Sequence, residues 1–316
     1  RLVSLISVVS VLGVAVGVMA LIVVLSVMQG FDQTLTKKFM GVYSHIEVVP
    51  DHWNLDIPKE IPREIYTELV RELPKIDGIE AAAPMVSLQT VVQANLGASE
   101  EKRPAMVRGV DPELEKDVSE FASYVKRGTD EPGFREVVIG NQMARRLGVG
   151  IGDKIFIIGR IVATANTTRP KTLPVKVAGI FQSGLYEVDD MFVYTNIETV
   201  QDLLQQGDVV TSVHAKLREP RNAEFYQYKI MDILPPGFGS RTWQDLNPEF
   251  FKALWVEKVA MFIILLLIVL VAALNIIGTL VMTVVQKTRD IGILKSMGSP
   301  RGAVMRIFLF HGFLIG

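Results

Sequence analysis

The chain has 316 residues, 49% hydrophobic and 21% charged, with 33 basic residues, 34 acidic residues and no cysteine. It is more apolar than an average soluble domain, and the excess sits in a few blocks. Without cysteine there is neither a disulfide framework nor a thiol nucleophile, so a domain outside the cytoplasm must stand on its own hydrophobic core.

Charge is unevenly distributed. Leu2 to Met28, Val259 to Val285 and Ile307 to Gly316 carry no Asp, Glu, Lys or Arg. Between Gln29 and Lys258 lie 27 of the 33 basic and 33 of the 34 acidic residues, which leaves that stretch near −6. The remaining bases are Arg1 and a short segment with Lys287, Arg289, Lys295, Arg301 and Arg306, against Asp290 alone. By the positive-inside rule this segment is a cytoplasmic loop, and residues from about 30 to 257 lie outside.

Leu2 to Met28 predicts a membrane-spanning helix. The run is too long for a signal-peptide core of ~7–15 residues, and no small-residue cleavage site follows. Gly13 and Gly17, with Ala20 one turn on, let another helix approach closely; the plainer explanation is the frequency of glycine in membrane helices. The helix is expected to continue as a stalk, with Phe31, Leu35 and Phe39 four apart on one face. Residues 1–43 are thus a first transmembrane helix and stalk, and 44–243 an external α+β domain.

Within that domain Tyr43 to Pro50 alternates as a strand, and Pro62 to Leu73 is an amphipathic helix ended by Pro74 and Gly78. Ile79 to Leu96 and Pro104 to Val110 are strands about a turn at Asn95-Leu96-Gly97. A second unit, 111–208, is expected to be inserted here. Asp111-Pro112 caps a short helix, Glu136 to Ile139 is a strand, and Asn141 to Leu147 is a helix that Gly148 ends. Lys154 to Ala165 and Thr172 to Phe181 form a hairpin with a polar, basic tip from Asn166 to Lys171. Met191 to Thr195 is a strand, and Asn196 caps the helix Ile197 to Leu204. Val209 to Leu217, Pro220 to Leu234 and Phe238 to Trp243 read strand–helix–strand and complete the first unit, 44–110 with 209–243.

From Pro248 the pattern is helical into the membrane, with Phe251 and Trp255 suited to the interface belt. Val259 to Val285 would make a helix of roughly 40 Å against a ~30 Å bilayer core, so 244–286 is a second stalk and transmembrane helix. Asn275, near the centre of this span with Gly278 and Thr279, is expected to face protein, in a helix-packing hydrogen bond rather than a substrate contact. In 287–299, Ile291, Leu294 and Gly298 fall at helical spacing among charges. That suits a short surface helix that docks another protein, because a plain basic anchor rarely interleaves glycine, isoleucine and methionine. Ser299-Pro300 opens a third helix, 300–316. The chain starts without methionine and stops inside this third apolar run, so it is expected to be a fragment.

No active-site signature is present. Gly148 to Lys154 is glycine-rich, but its spacing fits neither a phosphate loop nor a dinucleotide turn. His45, His52, His214 and His311 lack metal-ligand spacing. No Gly-x-Ser-x-Gly elbow occurs. Asp189-Asp190 reads as a pair of solvated turn acids. Asn166-Thr167-Thr168 is a glycosylation acceptor in form only, and the basic loop is too short for nucleic acid.

Lys287 to Arg301, KTRDIGILKSMGSPR, resembles the coupling segment of ABC-transporter permeases of the FtsX/MacB type. The opening is similar to lipoprotein-releasing permeases of the LolC/LolE type, in SVVSVLGVAVG from Ser7 to Gly17 and LSVMQGF from Leu25 to Phe31. Those proteins carry asparagine where this chain has Gln29. The resemblance implies a non-catalytic, multi-pass subunit of the bacterial inner membrane with four spans, so that the end of the third helix and all of the fourth would be missing. It implies a periplasmic domain of two parts, porter and sabre, matching 44–110 plus 209–243 and the inserted 111–208.

The implied partners are a cytoplasmic ATPase that binds ATP and magnesium, a second permease subunit, homologous or identical, and a periplasmic lipoprotein carrier, with lipoproteins as substrate. No cofactor is implied for this chain. Coupling to the ATPase would fall to Arg289, Asp290, Ile291, Gly292, Leu294, Lys295 and Gly298. A carrier-binding hook would be the hairpin 160–174, with Thr168, Arg169, Pro170 and Lys171 at its tip. A lipid cavity would be lined by Val24, Val27, Met28 and Phe31 on the first helix, and by Val259, Phe262, Ile263 and Leu266 on the second. The alternatives are a MacB-like exporter of a drug, peptide or toxin, an FtsX-like signalling permease, and a membrane-anchored binding module without an ATPase.

Overall fold

The computed structural model describes residues 2–50, 60–94, 102–164, 167–205 and 207–315, without the side chains of 2–11, 14, 160–164, 167–170, 275, 279, 311, 312, 314 and 315. The expected turn at Asn95-Leu96-Gly97, His52, Asn166 and the side chain of Asn275 lie outside the described residues. The chain divides into two compact units, Arg1–Thr34 with Glu249–Gly316, and Leu35–Pro248.

The first apolar run forms α1 (Leu2–Val42), unbroken over 41 residues, or about 60 Å. Its last residues belong to the α+β unit, where Leu35 and Phe39 pack on the core.

That unit begins with β1 (Ile46–Pro50) and β2 (Ile61–Pro62), followed by α2 (Arg63–Glu72). Pro74 tightens the end of α2 into a 3-10 turn, Leu73–Lys75, and Gly78 reverses the chain at φ +97°, where a side chain would be strained. The long strand β3 (Ile79–Gln93) pairs antiparallel with β4 (Arg103–Val110), from Met85↔Val110 to Val92↔Arg103. Asp111 opens α3 (Pro112–Val118) as expected, its Oδ1 accepting from Glu113 N at 3.0 Å and Leu114 N at 3.4 Å.

Next come α4 (Phe121–Tyr124), β5 (Val125–Gly128), β6 (Glu136–Gly140) and α5 (Asn141–Leu147). Gly148 closes α5 at φ +66°, with Gly148 N bonded to Arg145 O and Val149 N to Ala144 O. This pairing of bonds is the Schellman ending and explains the glycine there. The hairpin β7 (Lys154–Thr164) and β8 (Thr167–Phe181) leads to α6 (Tyr186–Met191), β9 (Phe192–Asn196) and α7 (Ile197–Leu204). Asn196 Oδ1 caps α7 by accepting from Thr199 N at 3.1 Å. The unit ends with β10 (Val209–Val210), β11 (Ser212–Leu217), α8 (Ala223–Met231) and β12 (Phe238–Thr242). The second apolar run forms α9 (Pro248–Gln286), followed by α10 (Thr288–Ser296) and α11 (Arg301–Ile315).

The main sheet has ten strands among the described residues. Its order is β12-β1-β11-β3-β4-β9-β6-β8-β5, with β7 pairing to β3 and β8. The strands from 46–110 and 212–242 lie together on one side of this path, and those from 125–196 on the other. The two sets meet where β4 runs parallel to β9, from Met106↔Phe192 to Val110↔Asn196, and again where β7 runs antiparallel to β3, from Val91↔Ile158 to Gln93↔Phe156. The architecture is α+β, a mixed sheet with helices around it, together with two apolar helices among the described residues long enough to cross a membrane.

Two expectations need correction. Pairing of β7 with β8 continues to Thr164↔Thr167, so Thr167 to Lys171 belong to a strand and are not the hairpin's tip. Asp189 is not a solvated turn acid: it sits on α6 and is 4% exposed. Its Oδ1 accepts from Ser183 N at 2.8 Å and Ser183 Oγ at 2.7 Å. The helix α6, like α4 and β5, is too short to show a period in the sequence.

Candidate functional site

The basic segment after α9 is broken at Lys287, whose Nζ pairs with Asp290 Oδ2 at 2.8 Å. The helix α10 ends at Gly298, at φ +89°, with Gly298 N bonded to Lys295 O and Ser299 N to Leu294 O, both at 3.1 Å. This Schellman ending makes glycine the residue of least strain at 298. Ile293, Leu294 and Met297 are exposed, Met297 at 79%. These apolar side chains stand beside the charged Arg289, Asp290 and Lys295 on a short helix.

Asp290, Ile291 and Leu294 line a crevice of about 420 Å³ with Val304, Ile307 and Phe308 of α11. Arg289, Gly292, Lys295 and Gly298 lie away from that lining and face outward.

A second crevice, of about 410 Å³, lies between α1 and α9. It is lined by Leu25, Met28, Gln29 and Asp32, and by Glu257, Lys258, Met261, Phe262 and Leu265. Leu25, Met28, Gln29 and Asp32 have the i, i+3, i+4, i+7 spacing of one helix face, and so do Lys258, Met261, Phe262 and Leu265, with Glu257 beside them. Of the residues expected to line a lipid cavity, Met28 and Phe262 are in this crevice. Val24, Val27, Phe31, Val259, Ile263 and Leu266 are exposed on other faces of their helices. The crevice also carries Gln29, Asp32, Glu257 and Lys258, whose spacing with its apolar residues places them on the same helix faces.

In the hairpin, Lys171 is turned inward: its Nζ bonds to the Asp202 carbonyl and lies 3.2 Å from Asp202 Oδ1 on α7. Asp202 also takes Arg135 Nη2 at 2.9 Å, and that hydrogen bond holds its carboxyl below the usual range. The side chains of Thr168, Arg169 and Pro170 lie outside the described residues.

Several buried polar side chains lie in the sheet or on the helix α3 packed against it. The Arg108 guanidinium stands 4.1 Å from the Phe192 ring centre, 5.2 Å from that of Tyr43 and 5.8 Å from that of Tyr194. Its Nη1 donates to the Val42 carbonyl and to the Tyr194 hydroxyl, both at 3.2 Å. Glu115 is 4% exposed and accepts from Ser119 Oγ at 2.6 Å. Burial pushes its carboxyl up, against the opposing pull of His214, Ser119 and Arg108. Burial also works to raise Glu47, but the hydrogen bond and charge of His214, 3.4 Å away, with the charge of Arg241, hold it at about 2.

Sequence reasoning passed over Arg108 and Glu115, because nothing in their neighbours in the chain marks them as buried. Among the described residues no group of three or more His, Cys, Asp or Glu is placed to hold a metal ion.

Comparison with known proteins covers the whole chain. Residues 7–230 match the MacB-like periplasmic core domain, and residues 262–316 the FtsX-like permease C-terminal family. The chain is 34% identical to the lipoprotein-releasing system transmembrane protein LolC of Neisseria meningitidis serogroup B, over 99% of this chain and 74% of that protein. It is 27% identical to the lipoprotein-releasing system transmembrane protein LolE of Haemophilus influenzae, over 100% of this chain and 74% of that protein. Among solved structures it is similar to the periplasmic region of MacB from Actinobacillus actinomycetemcomitans. There the TM-score is 0.44 at 12% identity, over 67% of this chain and 94% of that one.

Proposed function

The chain belongs to the FtsX/MacB family of ABC-transporter permeases, and from that premise we propose that it releases lipoproteins from the inner membrane to a periplasmic carrier. As a permease of this family it is a non-catalytic inner-membrane subunit with a large periplasmic α+β domain. The observation that carries the proposal is the 34% identity with a lipoprotein-releasing permease across 99% of the chain.

The physical task is to take acyl chains out of a bilayer, at about 0.8 kcal/mol per CH₂. Another apolar surface must receive them, and the crevice between α1 and α9 offers one, with Leu25, Met28, Met261, Phe262 and Leu265 in its wall. Asp32, Glu257 and Lys258 in the same lining can meet polar head atoms while chains lie against the apolar part. A second permease subunit, homologous or identical, would complete the chamber. A cytoplasmic ATPase, binding ATP and magnesium, would dock on α10, where Leu294 and Met297 are exposed. The two halves of the periplasmic domain, porter and sabre, would direct the lipid to its carrier, with the β7–β8 hairpin as the hook.

Depletion of the protein in its own cell, followed by membrane fractionation, tests this. Outer-membrane lipoproteins should accumulate in the inner membrane. Normal sorting would remove lipoproteins as cargo and leave the MacB-like exporter as the reading to pursue.

A further inference from the structure

The end of α1 does not simply hand the chain on to β1. Its last two turns are held by backbone groups of residues distant in sequence. Gly41 O accepts from Glu120 N at 3.0 Å, and Lys38 Nζ donates to Gly184 O at 3.3 Å. A Cβ at Gly41 would stand 2.2 Å from the Tyr124 hydroxyl and 2.8 Å from Glu120 Oε2, so a larger residue there would require the ends of both side chains to move. Val42 is buried in a cluster with Met85 and Val110 of the first unit and with Phe121, Phe181, Val188, Phe192 and Tyr194 of 111–208. The end of the stalk therefore packs where the two halves of the sheet meet, and β1 continues into the first.

Arg108 sits at that meeting point. It lies on β4, the strand paired with β9 across the seam between the two halves, opposite Tyr194. It is 8% exposed. The donors described for it go to a backbone carbonyl of α1 and a phenol of β9 rather than to a carboxylate. Its plane lies against the rings of Phe192, from β9, and Tyr43, just past α1. A planar guanidinium can stack and donate in two directions at once, which a lysine ammonium cannot reproduce. One side chain thus ties three separate pieces together: the end of α1, β4 and β9.

We propose that Arg108 is a positioning residue of the transport cycle, locking the end of α1 to the β4–β9 seam so that stalk, porter strand and inserted unit move as one body. The inference rests on the transporter reading for its cycle and on the lipoprotein reading only for the cargo used in the assay. Motion of the last turns of α1, from Leu35 on, would then swing the inserted unit directly. Without the lock, the same motion would be lost in slippage at the last turn.

The test uses the full transporter, with its ATPase and second permease subunit, in lipid nanodiscs. Because the chain has no cysteine, spin labels at Lys37→Cys and Gln182→Cys, both exposed, report the distance from stalk to inserted unit. One narrow distribution is expected, unchanged by ATP or by vanadate trapping, and broadened in Arg108→Met and Arg108→Lys. Transfer of a fluorescent lipoprotein to the carrier should fall at least tenfold in both variants, with ATP hydrolysis within about twofold of the parent. A distance in the parent that changes with nucleotide overturns the proposal, and so does full transfer in a variant with a broadened distribution.

If Arg108→Met fails to fold, Arg108→Lys, which keeps the charge and cannot stack and donate in two directions at once, is read alone; full transfer with one narrow distribution in that variant overturns the proposal. If the parent transfers no lipoprotein at all, the cargo is wrong, and the distance measurement still decides the joint.

Discussion

The backbone N–H of Leu217 donates to Nδ1 of His45 at 2.9 Å, joining residues 172 apart in the chain. His45 is 6% exposed, and this bond needs Nδ1 without a proton. Burial pushes the imidazole below its ordinary 6.5. A base with a lowered folded pKa adds stability above its unfolded value and loses it as pH falls through that window. The transporter's unfolding temperature should therefore drop as pH is lowered below about 6.5. His45→Asn keeps an acceptor that cannot titrate, so the difference between variant and parent should shrink on acidification. A pH-independent difference would remove His45 as the titrating group.

Glu47 and His214 make a second pH window of the same sign. Glu47 is held at about 2 against an ordinary 4.5. A lowered carboxyl contributes above its unfolded value, and the contribution disappears as pH falls from about 4.5 towards 2. Glu47→Gln should cost about 2 kcal/mol at neutral pH, and nearly nothing near pH 2. Chemical denaturation at both pH values measures it.

Asp189 and Gly140 hold the inserted unit at one point. Asp189 Oδ1 takes both donors of Ser183, and a Cβ at Gly140 would come within 2.1 Å of Asp189 O. Asp189→Ala strands those donors and should destabilise by about 2–3 kcal/mol. Gly140→Ala forces two backbones apart and should be at least as severe. Unfolding temperatures within a degree of the parent for both variants would mean that α6 is not held as described.

Leu294→Asp places a charge on the exposed apolar face of α10, and Gly298→Trp puts a side chain at φ +89°. The second costs about 1–2 kcal/mol of local strain. Both should insert normally and hydrolyse ATP through the partner subunit, while lipoprotein release falls tenfold or more. Unchanged release would take α10 out of the coupling path.

Much of the chain was legible before folding was considered. The uncharged runs became α1 and α9, because helix formation and the cost of charge in lipid are written residue by residue. Asp111, Asn196 and Gly148 behave as cap and stop because those signals act over three to five residues. The strands of the hairpin were found, but their end was misplaced: polar residues from Thr167 to Lys171 looked like a tip, while strand pairing continues through them.

Membrane helices, caps, stops, the short helix α10 and the charge that orients it are legible in the residues because their physics is local. The direction of Arg108, the burial of Asp189, the return of Lys171 onto Asp202 and the face of α1 that meets α9 are set by packing in three dimensions. Each of these depends on partners tens of residues away, brought together by sheet pairing and core burial. Burial of a polar side chain is a property of what surrounds it in space, and its neighbours in the chain carry no record of that.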